Sequence, residues 1–165
     1  EDNLYLKLVA NENNLKKLRQ NCRVNNQGPI WSDDCFEIML VPNKSIRSYY
    51  QIGVNSLGTY NVLYHRRNKP VESLPNFKIQ TSAAIDKGKW TVEMKIPFDE
   101  FDSVDFTKTW KFNVFRTRVL SGKPQFRQSS GIRLFYTLSY HNLKHYGLLR
   151  WPERKKSFWN CLKFW

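Results

Sequence analysis

The stretch KWTVEMKIP, residues 89–97, sets Trp90, Val92, Met94 and Ile96 on one side of an extended chain and Thr91, Glu93 and Lys95 on the other. Successive side chains of a strand point to opposite faces, so this pattern predicts a half-buried β-strand. The same period recurs along the chain. Leu4, Leu6 and Leu8 alternate with Tyr5 and Lys7. Phe36, Ile38 and Leu40 share a face opposite Glu37 and Met39. Tyr50, Ile52 and Val54 oppose Tyr49, Gln51 and Asn55, and Trp110, Phe112 and Val114 oppose Lys111, Asn113 and Phe115.

Turn chemistry falls between these runs. Asn55-Ser56-Leu57-Gly58 and Asp86-Lys87-Gly88-Lys89 read as hairpin loops. Pro97 ends a strand and opens PFDEF as a short helical turn. Only residues 12–20 and 98–103 suit a helix, and both stretches are short. Many strands with turns between them predict an all-β fold, a sandwich or a barrel. At 165 residues the chain is about one domain. Residues 1–150 read as that domain, and 151–165 (WPERKKSFWNCLKFW) as a basic aromatic tail.

Composition bears on partners. The chain holds 6 Trp, 8 Tyr and 11 Phe, which suit strands and flat binding platforms. With 27 Lys+Arg against 14 Asp+Glu, its formal net charge is +13. That admits nucleic acid, an anionic glycan or a membrane surface. Cys22, Cys35 and Cys161 make neither a CxxC pair nor a zinc pattern. Cys22 and Cys35 flank a loop that a bridge between them would close, and the sequence leaves that open. No apolar run approaches membrane-spanning length. The opening EDNLYLKLVA, already strand-like, reads as a mature or excised form.

Five stretches occur in a telling order: IWSDDCFEIMLVP, SYYQIGVNSLGTY, KWTVEMKIPFDEF, WKFNVFRTR and HNLKHYGLL. Together they resemble the family 9 carbohydrate-binding modules and their relatives in the DOMON-like group, from about Leu4 to Leu149. The resemblance implies an antiparallel, jelly-roll-like β-sandwich of two sheets with one or two short helical turns. It implies a non-catalytic slot that grips the end of a poly- or oligosaccharide between two aromatic rings, with no cofactor. It also implies an exported module covalently linked to a glycan-degrading catalytic domain. Trp31 matches the first clamp residue, Glu37 the carboxylate that accepts from sugar hydroxyls, and Asn55 a polar position beside the slot. For the second ring the nearest match is Tyr136, with Tyr140 behind it, where relatives carry tryptophan.

The residue chemistry is consistent with that use. A pyranose face offers C–H patches to an aromatic ring, and a carboxylate makes strong hydrogen bonds to hydroxyls. Gln51, Asn55 and Asn113 stand on faces able to line such a surface. Arg116 and Arg118 would hold a sugar hydroxyl or an acidic sugar, or pair with Glu93 or Asp99. Asp33 and Asp34, just before a strand, are expected to bind loop N–H groups. They are also weak calcium candidates, since hard cations take oxygen ligands.

Several alternatives rank lower. Glu37 and Glu93 would be needed as a facing pair for glycoside hydrolysis, but Glu93 belongs to a strand-packing motif. A haem-binding DOMON-like redox module would use Met39 and His141. His65, His141 and His145 have no metal-ligand spacing. The basic runs HRRNK (65–69) and RWPERKK (150–156) read first as solvated surface, and then as contacts for an acidic glycan or nucleic acid.

Overall fold

The computed structural model describes residues 2–42, 47–120, 123–129 and 141–151. Within them the protein is an antiparallel sandwich, as expected. Its smaller sheet joins β1 (Asn3–Asn11), β7 (Lys89–Pro97) and β6 (Gln80–Asp86), in the order β1-β7-β6. The larger sheet contains β2 (Cys35–Val41), β3 (Ser48–Asn55), β4 (Tyr60–Arg66), β5 (Glu72–Ser73), β8 (Trp110–Leu120), β9 (Lys123–Ser129) and β10 (Gly147–Leu149). Its order is β10-β8-β2-β3-β4-β5, with β9 pairing β8 further along. Every pairing is antiparallel.

The core lies between the sheets. Trp90, Val92, Met94 and Ile96 of β7 meet Phe36, Ile38 and Leu40 of β2 and Tyr50, Ile52 and Val54 of β3. Phe36 and Trp90 pack with ring centroids 4.5 Å apart. Trp90 and Trp110 are fully buried, and truncating either to alanine would cost about 3–5 kcal/mol. Trp151, the first residue of the expected tail, packs edge-on against Phe98, Phe106 and Trp110. The rest of that tail, with Cys161, lies outside the described residues.

Both hairpins form. Asn55 to Gly58 joins β3 to β4, with Gly58 at φ +81°. Lys87 and Gly88 join β6 to β7 with φ of 42° and 80°, the paired positive angles of a two-residue hairpin turn. The expected helical turns are single 3₁₀ turns at Leu15–Lys17 and Phe98–Glu100. Two more appear at Ile30–Ser32 and Leu143–His145.

One expectation needs correction. Alternation in β2 predicts an outer face carrying Glu37 and Met39 to solvent, yet all seven residues of β2 are buried. The cause is the outer cover. Met39 packs beneath Phe115 and Tyr146, with Tyr49 and Leu143 alongside. The Ile30–Ser32 turn lies against β3 next door. This outer face of the larger sheet carries Glu37, Met39 and Gln51.

Candidate functional site

Gly53 determines where Trp31 lies. In β3 its neighbours Ile52 and Val54 point into the core, so the vacant side-chain position of Gly53 faces outward. A Cβ there would meet Trp31 Cζ3 at 2.5 Å and Ile30 Cγ2 at 2.8 Å. The indole edge therefore rests where another residue would have its side chain. Ile30 is fully buried and anchors the turn, while Trp31 stays partly exposed. Glu37 pairs with Gly53 across β2 and β3, so carboxylate and indole are neighbours on one face.

From Glu37 a polar chain runs across the sheet. Thr117 Oγ1 donates to Glu37 Oε1 at 3.2 Å, and Gln51 Nε2 donates to Glu37 Oε2 at 2.8 Å. The carboxylate thus fixes the Gln51 amide. Gln51 Oε1 then faces His65 Nε2 at 2.7 Å and can only accept, so that ring nitrogen carries the proton. His65 stacks on Tyr49 with centroids 4.4 Å apart and planes within 5°. The Tyr49 hydroxyl reaches His141 Nδ1 at 2.7 Å. Burial pushes His65 down to about 4, with His141 adding to the effect, and also lowers His141. Burial raises Tyr49 to about 12. His65, His141 and Tyr49 are therefore uncharged near neutrality, and the cluster presents rings and fixed hydrogen-bonding groups.

The residues proposed from sequence separate into groups. Trp31, Glu37 and Gln51 share the outer face, and Asn113 joins them there, its Oδ1 accepting from Val114 N. Tyr136 and Tyr140 lie outside the described residues, as does the His145 side chain. Arg116 lies across from Phe36, on the inward side of its sheet. It binds the Asn11 carbonyl and Glu12 at the end of β1. Arg118 pairs with Glu12 and Asp34. Neither arginine uses the expected Glu93, which pairs with Lys7, nor Asp99. Burial alone would raise Glu12, but the Asn14 N–H and the two arginines outweigh it and hold its carboxyl low.

Asn55 is fully buried and its amide is committed within the protein. Its Nδ2 donates to the Cys22 carbonyl at 2.9 Å and to Asp33 at 3.0 Å. Its Oδ1 accepts from Leu57 N at 3.0 Å and Thr59 N at 3.1 Å. Asp33 also accepts from Asn21 N and Cys22 N, and Asp34 from Arg19 N, Val119 N and Arg118. Both carboxylates are thus surrounded by positive N–H dipoles, a setting that opposes a calcium ion. Among the described residues no group of three or more His, Cys, Asp or Glu could hold a metal. Met39 is fully buried under rings and presents no open face to an iron. Cys22 and Cys35 are free buried thiols, and burial pushes Cys35 far up.

The sequence did not bring Tyr49, His65 and His141 together beside Gln51, as the structure does. The Tyr49–His65 pair follows from strand register. Gly53, a glycine inside a strand, was a readable sign of a close approach.

Among curated proteins none matches the chain. Two solved structures share the fold. One, from Bacteroides uniformis ATCC 8492, is described as a candidate carbohydrate-binding protein. It aligns with a TM-score of 0.67 at 19% identity, over 88% of this chain and 71% of its own. The other is a family 9 carbohydrate-binding module from Caldicellulosiruptor kristjanssonii in complex with glucose. It aligns at 0.63 and 13% identity, over 94% of this chain and 74% of its own. The model of the carbohydrate family 9 binding domain-like family matches residues 1–161, almost the whole chain, and the chain belongs to that family of non-catalytic binding modules.

Proposed function

We propose that the outer face of the larger sheet binds the end of a glycan without transforming it. The observation that carries this reading is the placement of Trp31 over Gly53 beside the Glu37–Gln51–His65 chain. A partly exposed indole offers stacking area. A carboxylate oriented by Gln51 and Thr117 suits charge-assisted hydrogen bonds from hydroxyls. Tyr136 is proposed as the second ring, on the family pattern alone. The module would serve an exported, glycan-degrading protein by keeping a linked catalytic domain near its substrate. Among the described residues no helix is long and apolar enough to cross a membrane.

The test is a pair of single changes read by affinity electrophoresis on a panel of glycans. Trp31→Ala should weaken binding by ~2 kcal/mol or more, as for large aromatic anchors. That is about 30-fold in Kd. Glu37→Gln keeps shape and should weaken binding with little change in melting temperature. A folded Trp31→Ala protein with unchanged affinity for every glycan would refute the assignment.

A further inference from the structure

The basic run HRRNK is left unused by the reading above, and the structure divides it in two. The β3–β4 ladder pairs Tyr49 with His65 and Ser48 with Arg66. It continues one step past the strands, where Arg67 N–H donates to the Arg47 carbonyl at 2.7 Å. Ser48 and Arg66 belong to the inward side. There Arg66 pairs with Glu72 and stands 5.5 Å from the Tyr64 ring centroid. Alternation carries positions 47 and 67 to the other side, in line with Tyr49, His65 and Gln51. Arg47, Arg67 and the following Lys69 are exposed. Arg67 forms no ion pair among the described residues.

The outer face is therefore a track along β3 and β4. Trp31 and Glu37 are level with Gly53 at one end, Gln51 comes next, and then the stacked Tyr49–His65 pair. The two arginines mark the far end. Six residues separate Gly53 from Arg47, roughly 20 Å at about 3.3 Å per residue. That exceeds the screening length of about 8 Å at physiological salt, so the negative Glu37 and an anion at the arginines barely sense each other. Arginine stays charged, and its planar fork matches carboxylate and sulfate. The net charge of +13 adds long-range attraction of the same sign.

We propose that the saccharide bound here is anionic. One end meets Trp31 and Glu37, and carboxylate or sulfate groups further along the same chain meet Arg47 and Arg67. This rests on the saccharide reading of the face and adds its substrate class.

The test uses matched neutral and anionic oligosaccharides of equal length: cello-, xylo- and galacto-oligosaccharides, each beside a carboxylated and a sulfated counterpart. Binding is measured by calorimetry at low and high salt. At least one anionic member should bind about tenfold tighter than its neutral twin at low salt, an advantage that salt removes. Arg47→Gln with Arg67→Gln should abolish the advantage and leave the neutral twin within about twofold. Which counterpart responds separates carboxylate from sulfate. Equal binding of the twins, or an advantage that survives the double substitution in a folded protein, overturns the proposal while the saccharide site stands. Binding of single-stranded DNA as tight as the best glycan, lost with the arginines but indifferent to Trp31→Ala, overturns it in favour of a nucleic acid. If no saccharide binds at all, both readings fall together.

Discussion

The contact between Gly53 and Trp31 makes a sharp demand on the sequence, and Gly53→Ala tests it. The added methyl carbon would lie 2.5 Å from Trp31 Cζ3 and 2.8 Å from Ile30 Cγ2. Carbon atoms pack best at about 3.5–4.0 Å, so the turn must retreat by roughly 1 Å. Trp31 can swing outward, but Ile30 is fully buried and cannot. The expected loss is ~1–3 kcal/mol, the usual range for overpacking. For a domain of this size that is about 2–4 °C of melting temperature for each kcal/mol. Gly53 has no positive φ to lose, so no backbone strain adds to the crowding. Saccharide affinity should fall by about tenfold, since a displaced ring stacks poorly. Thermal melts and calorimetry read the two effects. In a Trp31→Ala background the same methyl group should cost less, because part of the clash is gone. An unchanged melting temperature with unchanged affinity in Gly53→Ala would refute the proposed seating of Trp31.

Two further outcomes are expected. Asn55→Ala removes four hydrogen bonds from a fully buried knot and should lower stability by more than ~2 kcal/mol. At temperatures where the variant stays folded, saccharide affinity should persist, and selective loss of binding would place Asn55 in the slot after all. Acid should loosen the Tyr49–His65–His141 cluster. His65 titrates near 4 when folded against 6.5 in the unfolded chain, so unfolding takes up a proton between those values. Stability then rises with pH across that window and falls as pH drops through it. His65→Gln should flatten this part of a melting-temperature profile, and an unchanged profile would count against the burial of His65.

Much of the architecture was legible because one face of each strand had to be apolar. KWTVEMKIP and the side of β2 that holds Glu37 were readable for that reason, and the hairpin at Lys87-Gly88 from its turn residues. What could not be read was long-range. Nothing local in HRRNK says that His65 would stack on Tyr49 or that His141 would close over both. Those contacts depend on strand register and on a turn at His141, far along the chain. The burial of β2 on both faces was hidden likewise, because its cover arrives from Ile30–Ser32 and from Tyr146. Arg116 and Arg118 alternate correctly, yet their partner Glu12 comes from the far end of the chain.

Asp33 and Asp34 follow Trp31 by two and three residues, and each grips a separate part of the molecule. Asp33 holds the loop at Asn21 and Cys22 together with Asn55, and Asp34 holds Arg19, Arg118 and Val119. The backbone leaving the indole is thus clamped before any ligand arrives. A binding surface usually loses about 0.5–1.5 kcal/mol for each side chain it must immobilise, and little of that remains to be lost at a ring whose base is already fixed. Ligand capture by this ring should therefore resemble docking onto a rigid shelf, with small entropic resistance. Changes in sugar preference can then accumulate along β3 and β4 without disturbing the shelf itself.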